Sequence, residues 1–493
     1  WCSWYHFYTN VTAQHIVDNL AVILDHQETL PVELVQIDDG FETQVGDWFN
    51  FKPTFPEGVK PLAAKISQAG LIPGLWLAPF IVHPGSELIR EHPDWMLRQA
   101  NGRRVNAGFN WNAMTTALDL TIPEALQYAK DVVSTASHEW GFPYLKLDFL
   151  YAAALKGEYR DNTKTRAQVL RMGMEALREA VGQQVTLLGC GAPLGSMIGI
   201  VEAMRIGQDV SGEWHPSYIN IRTIFRNEPS MPSARNSISN ILTRANLNRR
   251  WWVNDPDCLL VRPDTRLTLD EVRSLATVIA LTGGSLLLSD DLPALPAERM
   301  KIAEVMLPVI TEEARVLDWF DAGMPAKLRV DMLTACDSWH ILGWFNWSDT
   351  PADLIIDSIT YDLNDGEYIW REFWSGKTGT FDNTTPLEFR GVAAHGCVLL
   401  AVRRLQEGRA QYLGSDLHFS QGLEVAEWRE ESKFLEMKLR LPRTAAGELL
   451  LKLPFEPATV TINGSPVDAS RQADGIYSIP VRVEGFCTVR IDK

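Results

Sequence analysis

Over residues 1 to about 320, short and almost uninterrupted apolar runs alternate with longer stretches of helical periodicity. The runs are "WCSW" (1–4), "ELVQID" (33–38), "IPGLWLAPF" (72–80), "YLKLDF" (144–149), "VTLLGC" (185–190), "EAMRIGQD" (202–209), "WWVND" (251–255) and "SLLLSDD" (285–291). Strands that read as continuous apolar segments are buried on both faces, as in a parallel sheet covered by helices. The intervening segments supply those helices. Ile16, Leu20, Ile23 and Leu24 share one face of a predicted helix over 12–28. Thr121 and Glu124 form a capping-box pattern opening a helix to about 139, and Val169, Leu170, Met174, Leu177 and Val181 form a further stripe. The fifth and sixth runs are joined by a short glycine-rich link, so a full helix is not expected there. Eight such units predict an α/β fold, a (β/α)8 TIM barrel spanning residues 1–324. A doubly wound open sheet is the alternative, although no Gly-rich phosphate loop follows the first run.

Beyond residue 325 the texture changes. "SWHILGWFNWSD", "YIWREFW" and "GVAAHGCVLLAVRRL" have strand character and are separated by turn residues such as "NDG" and "SGKTG". An antiparallel β-sandwich domain is expected over 325–405. "QEGR" at 406–409 reads as a linker, and the alternation in "FLEMKLRL", "GELLLKLPF" and "ATVTINGSPV" predicts a small β-module over 406–493.

A chain of 493 residues exceeds what one core supports. Its net charge of −16 (46 Lys and Arg against 62 Asp and Glu) argues against nucleic acid as a partner. No run of about 18 apolar residues is present, so no membrane partner is expected. The six cysteines, Cys2, Cys190, Cys258, Cys336, Cys397 and Cys487, form no CxxC pair. They predict neither zinc nor a disulfide framework and favour a reducing, cytoplasmic compartment. The ten histidines form no HExxH motif and no cluster, so no metal and no cofactor are expected. The Asn-X-Ser/Thr triplets at Asn10, Asn346, Asn383 and Asn463 are at chance level. The chain opens on "WCSWY" with no methionine or signal sequence, and reads as a piece of a longer protein.

In a barrel, ligand-facing groups collect at the C-terminal ends of the strands. Those ends offer Asp38, Asp39, Trp76, Lys146, Asp148, Cys190, Arg205 and Asp209, with Asp255, Asp290 and Asp291 on the last two. Carboxylates accept from hydroxyls, cations donate to them, and indole rings cover apolar sugar faces, so the set suits a neutral polyhydroxylated ligand. The seventeen tryptophans fit the same use, or bulky core filling. Cleaving a glycosidic bond needs two carboxyl groups flanking the anomeric carbon. Asp148 and Asp209 end the fourth and sixth runs. Lys146 and Asp148 are two apart on a strand, hence on one face, and the cation favours an ionised carboxylate. Asp255, Asp257, Asp290 and Asp291 read as caps and loop formers, and Cys190 as a small apolar filler. Pattern alone leaves open whether Asp148 and Asp209 are a working pair or two ordinary strand ends.

Nine stretches, in order, resemble glycoside hydrolase family 36, the α-galactosidase group: "WCSWYHFY", "QIDDGFETQVGDW", "FPEGVKPLAAKI", "GLIPGLWLAPF", "HPDWML", "YLKLDFLYAA", "LLGCGAPLG", "RIGQDVSGEW" and "WWVNDPDCLL". The resemblance implies a retaining enzyme acting on an oligosaccharide or glycoconjugate with terminal α-galactose. It implies Asp148 as nucleophile in K-x-D and Asp209 as acid/base in R-x-x-x-D. It also implies Asp38 and Asp39 on the 4- and 6-hydroxyls, Lys146 on the 3- and 4-hydroxyls, and Cys190, Gly191 and Arg205 near the 2-hydroxyl. Trp76 becomes an aromatic wall and Trp48 a loop contact. Family members carry a β-sandwich before "WCSWY" that this chain lacks, and the "SGEW" segment ending at Trp214 departs from the family's turn. Rival expectations are an α-N-acetylgalactosaminidase, a galactosyl-transferring relative, and a non-catalytic carbohydrate-binding barrel. Assembly into a homo-oligomer is a further expectation.

Overall fold

The computed structural model describes residues 1–217, 228–321, 323–382, 384–472 and 475–493. The triplet at Asn383 lies outside the described residues.

Six parallel strands pair in chain order: Leu34–Ile37, Ile72–Leu77, Tyr144–Leu147, Thr186–Gly189, Ala203–Arg205 and Val253–Asp255. Residues 1–3 and Leu287–Leu288 complete the ring. The Gln36 amide donates to the Trp1 carbonyl at 2.8 Å, and the Cys2 amide donates to the Leu288 carbonyl at 2.8 Å. On the other side, Leu287–Leu288 pairs with Cys258–Leu259, the continuation of the seventh strand past Pro256. All eight apolar runs are therefore barrel strands, in the expected order, and the fold is a (β/α)8 barrel followed by antiparallel sheets.

The helices form where their periodicity predicts, with two differences. In Ala13–Asp25, capped by Thr12, Ile16, Leu20 and Ile23 are buried while Leu24 is 42% exposed, just off the stripe. Arg166–Val181 opens on a capping box of Thr165 and Gln168 and buries its whole stripe. The capping box expected from Thr121 and Glu124 does not form. That helix is Pro123–Ser134, with Ile122 at its N-cap and no side-chain cap. Proline suits the first turn because its missing N–H would be unpaired there. The Thr121 hydroxyl donates to Asp119 at 2.6 Å instead. Between the fifth and sixth strands there is only the 3₁₀ turn Leu194–Met197.

A six-stranded antiparallel sheet follows, in the order Arg315–Val316, Lys327–Leu333, Ser338–Phe345, Cys397–Arg404, Tyr368–Glu372 and Thr378–Phe381. Its two faces divide by strand alternation. Ile341, Leu399 and Ala401 join the barrel's core, while Leu342, Leu400 and Val402 pack with Leu354 and Ile356 of the ribbon Ala352–Ile356/Leu387–Val392. The last sheet is built on the hairpin of Phe434–Lys452 with Ile476–Asp492 and has a separate core. It is tied to the barrel through Arg443, whose Nε donates to the Leu307 carbonyl at 2.9 Å.

Candidate active site

Asp148 lies one residue beyond the fourth strand, where the backbone turns sharply. Phe149 takes a left-handed conformation (φ 52°) and starts the 3₁₀ turn Leu150–Ala154. Both Asp148 oxygens serve as acceptors: Oδ1 receives the Phe149 amide at 2.6 Å and Oδ2 receives Trp76 Nε1 at 3.1 Å. The tryptophan can reach because Trp76 is the register partner of Lys146 on the neighbouring strand. On the other side Gly191 sits at φ +56°, and a Cβ there would come within 3.0 Å of Asp148 Oδ1. The carboxylate is thus held from three directions.

Asp38 and Asp39 follow the second strand, which ends at Ile37. Adjacent residues on a strand would face opposite ways, so their convergence needs a turn. Gly40 supplies it: its φ is +123°, and a Cβ would approach Thr9 Cα at 2.9 Å. Asp38 Oδ2 accepts from Lys146 Nζ at 3.0 Å and from Gln36 Nε2 at 2.7 Å. Burial opposes the Lys146 charge and the Asp38 carboxylate favours it; the net effect of its surroundings holds that pKa well above the usual lysine range. Asp39 Oδ2 accepts from Trp111 Nε1 at 2.7 Å. Burial raises the pKa of both Asp39 and its neighbour Glu42.

Arg205 ends the sixth strand and is nearly inaccessible. Its Nε bonds Asp255 Oδ2 at 3.0 Å, Nη2 lies 2.8 Å from Asp257 Oδ1, and Nη1 bonds Asp209 Oδ1 at 2.9 Å. Asp255 is the register partner of Arg205, so parallel pairing itself sets the first contact. Asp257 also accepts from the Val210 amide at 2.7 Å and from the Tyr5 hydroxyl. Burial lifts the Asp257 carboxyl to about 6, against the pull of Arg205. The Asp209 side chain keeps 46% of its surface open, yet it stands deep in a recess. That enclosure raises its pKa, with Arg205 opposing the rise.

The recess has a volume of about 670 Å³, and Asp148, Tyr151, Cys190, Gly191, Arg205 and Asp209 are on its wall. Asp38, Asp39, Lys146 and Trp76 are buried and do not form its wall; Trp76 is joined to it by its bond to Asp148, and Lys146 is joined to Asp38. Trp48 is fully buried behind Trp76, ring centroids 5.8 Å apart. Burial pushes the Cys190 thiol well up, so it remains a neutral group.

The sequence pattern had not singled out Trp111. It is the first central residue of the tight hairpin Phe109–Asn110/Ala113–Met114, with φ 49° at Trp111 and 58° at Asn112. Such positions favour Asn and Gly, so a bulky indole there is held at a cost. Tyr5 and Glu42 were likewise not anticipated.

Against known proteins, the comparison with family models is direct. Residues 3–180 match the family described as Melibiase. The α-galactosidase of Escherichia coli is 28% identical over 187 residues, 36% of this chain and 25% of that protein. Alpha-galactosidase AgaA of Geobacillus stearothermophilus is 33% identical over 126 residues, 24% of this chain and 17% of that protein. The alignments thus span a quarter or less of these relatives' length. Among solved structures, TtGalA, an α-galactosidase from Thermus thermophilus in complex with p-nitrophenyl α-D-galactopyranoside, is 35% identical. That superposition has a TM-score of 0.57 and covers 67% of this chain and 64% of the other.

Proposed function

We propose that the chain carries the catalytic barrel of a retaining α-galactosidase, nearest to family 36 within the melibiase group. The observation that carries this reading is the contrast between two carboxyl groups on one recess. Asp148 offers two oxygens that only accept, fixed by Trp76, Phe149 and Gly191, as a nucleophile requires. Asp209 is a carboxyl whose enclosure favours the protonated form, as a general acid requires.

In the first step an Asp148 oxygen bonds to the anomeric carbon as the glycosidic C–O bond breaks. The Asp209 proton passes to the leaving oxygen. A water then gives a proton to Asp209 and displaces Asp148, and two inversions restore the starting configuration. Lys146 and the pair Asp38 and Asp39 are the proposed readers of the sugar hydroxyls. Arg205, Cys190 and Gly191 lie toward carbon 2, and Trp76 with Trp48 behind it stiffens the floor.

The supporting similarity is to proteins named as α-galactosidases, one of them solved with an α-galactoside. Among the described residues, no helix is long and apolar enough to cross a membrane. A second sugar fits one observation: Cys190, Gly191 and Ala192 are small and border the recess, which leaves space for a 2-acetamido group.

A panel of nitrophenyl α-glycosides tests the proposal. The expected result is turnover of the α-galactoside, α-galactose as the first-formed anomer, and at least about a hundredfold preference over the α-glucoside in kcat/KM. Preference for the N-acetylgalactosaminide would transfer the assignment to that sugar. β-Galactose as first product would overturn the nucleophile role, and binding without turnover would overturn the enzymatic reading.

A further inference from the structure

Three loops distant in sequence converge beside the acid/base segment. Beyond Asp209, the chain is anchored by the Val210 amide on Asp257 and then by Trp214 and His215. The Trp214 indole stacks on His395 (centroids 4.2 Å, 14° between planes) and on Trp347 (5.8 Å, 26°). Next to this stack, Asp349 Oδ1 lies 2.9 Å from His215 Nε2 and 3.1 Å from His395 Nε2. The three donor atoms lie within 4.8 Å of one another.

We propose that His215, Asp349 and His395 bind a divalent transition metal of the zinc class, which clamps the segment after Asp209 to the antiparallel sheet. Two imidazole nitrogens and one carboxylate oxygen are a donor set of borderline softness, suited to Zn²⁺ or Co²⁺ with water as fourth ligand. At metal–ligand bonds of about 2.0–2.1 Å, tetrahedral donors stand roughly 3.3 Å apart, so the two carboxylate–imidazole spacings of 2.9 and 3.1 Å need only a small expansion, with the two imidazole nitrogens within 4.8 Å of each other.

Two further features distinguish this trio from a casual ion pair. The first is the second nitrogen of His395. Its Nδ1 lies 2.7 Å from Glu271 Oε1. Metal-bound histidines characteristically donate their other N–H to a carboxylate, which sets the tautomer and aims the ring. Glu271 is itself fixed, because its other oxygen accepts the Thr268 amide at 2.7 Å in a helix capping box. With Nδ1 turned to Glu271, Nε2 is the ring nitrogen that faces Asp349, the geometry in which it can serve as a metal ligand.

The second feature is backbone strain. His395 is held in the left-handed region at φ 57°, a conformation that non-glycine residues seldom adopt. Its carbonyl accepts from Ser274 Oγ at 2.6 Å, and its amide donates to the Ser348 carbonyl at 3.3 Å. The ring is therefore presented by a braced backbone. Asp349 is 51% exposed and His395 10%, so an ion enters from solvent onto a partly buried base. No sequence motif announces the site, because positions 215, 349 and 395 meet only through the packing of sheet on barrel.

The test reads metal binding and does not depend on glycosidase activity. The chelator-treated chain is dialysed against Zn²⁺ and, separately, titrated with Co²⁺ while its visible d–d bands are recorded. Expected are one Zn²⁺ retained per chain and a saturable tetrahedral Co²⁺ spectrum. Asp349→Asn, at an exposed position, should weaken binding at least about tenfold. Glu271→Gln, which keeps the helix cap, should weaken it about 10–100-fold. Failure to retain an ion, or equal retention by the parent, Asp349→Asn and Glu271→Gln, would overturn the proposal and leave the trio as a hydrogen-bonded clasp.

Discussion

Gly191→Ala tests whether Asp148 is held to sub-ångström tolerance. A methyl at this position has two costs. The backbone is left-handed (φ +56°), which costs an alanine roughly 1 kcal/mol. The Cβ would also lie 3.0 Å from Asp148 Oδ1, 3.0 Å from the Phe149 nitrogen and 3.2 Å from Phe149 Cα. Phe149 cannot retreat easily, since its amide is committed to Asp148 at 2.6 Å. The carboxylate therefore gives way by a few tenths of an ångström. A misplacement of about 1 Å costs about a hundredfold in rate, so this smaller shift should cost about three- to tenfold. The loss should fall on kcat with KM little changed, because a nucleophile's aim matters in the transition state. Stability should drop by about 1–2 kcal/mol. Steady-state kinetics on a nitrophenyl α-galactoside and thermal melting read the two effects separately. Gly199→Ala, further along the same connection, also left-handed (φ +76°) and with nothing within 4 Å of its Cβ, is the matched control. If Gly191→Ala melts early but keeps the parent kcat, Gly191 serves the fold and does not aim Asp148.

Asp209→Ala should cost far more on galactosides with poor leaving groups than on nitrophenyl substrates, which need little protonation; equal losses on both would refute the acid role. Trp111→Phe keeps the ring's bulk but removes the donor to Asp39. It should raise KM about three- to tenfold with a melting temperature within a few degrees of the parent, the scale of one hydrogen bond's net contribution. An unchanged KM would mean that the hairpin only covers Asp39.

The fold was legible because buried parallel strands are written as apolar runs, and the eight runs contain no competing signal. The ends of those runs point to Asp38, Asp148, Arg205 and Asp209 as candidates, although only Arg205 lies within its strand and the three aspartates stand one to four residues beyond theirs, placed by turns. What depends on contacts between strands was not legible. Asp255 and Asp257 read as loop formers, and they do accept amides, from Asp257 and Cys258 at 2.9 and 2.7 Å. Their second use, neutralising Arg205, follows from a register pairing that no single segment encodes. Trp111 escaped because its strands are two residues long, although a tryptophan among the turn formers of "FNWNA" was a usable sign of strain. Thr121 misled because a capping pattern is local, whereas its hydroxyl is claimed by Asp119 and its own amide also bonds that side chain at 2.9 Å.

The division of Arg205 among three carboxylates sets how Asp209 can work. Asp255 and Asp257 are fully buried and hold Nε and Nη2, so the guanidinium is largely committed before Asp209 receives Nη1. Burial opposes the Arg205 charge, yet those two carboxylates raise its pKa well above its usual value, so it remains a cation throughout. Asp209 is thereby attached to a cation whose charge is mostly spent, which lets it hold and release a proton. Asp257→Asn disturbs this balance. Losing one anion removes a repulsion on Asp209 and frees part of the Arg205 charge for it, and both effects lower the Asp209 pKa. The sign follows directly. In the proposed role of general acid, Asp209 is protonated in the free enzyme, so kcat/KM should fall as pH rises through that pKa. In Asp257→Asn the descending limb should move to lower pH, so that activity near neutrality falls more than activity at pH values below both limbs. A merely structural role for Asp257 would lower the whole profile without moving the limb, and that outcome would refute the argument.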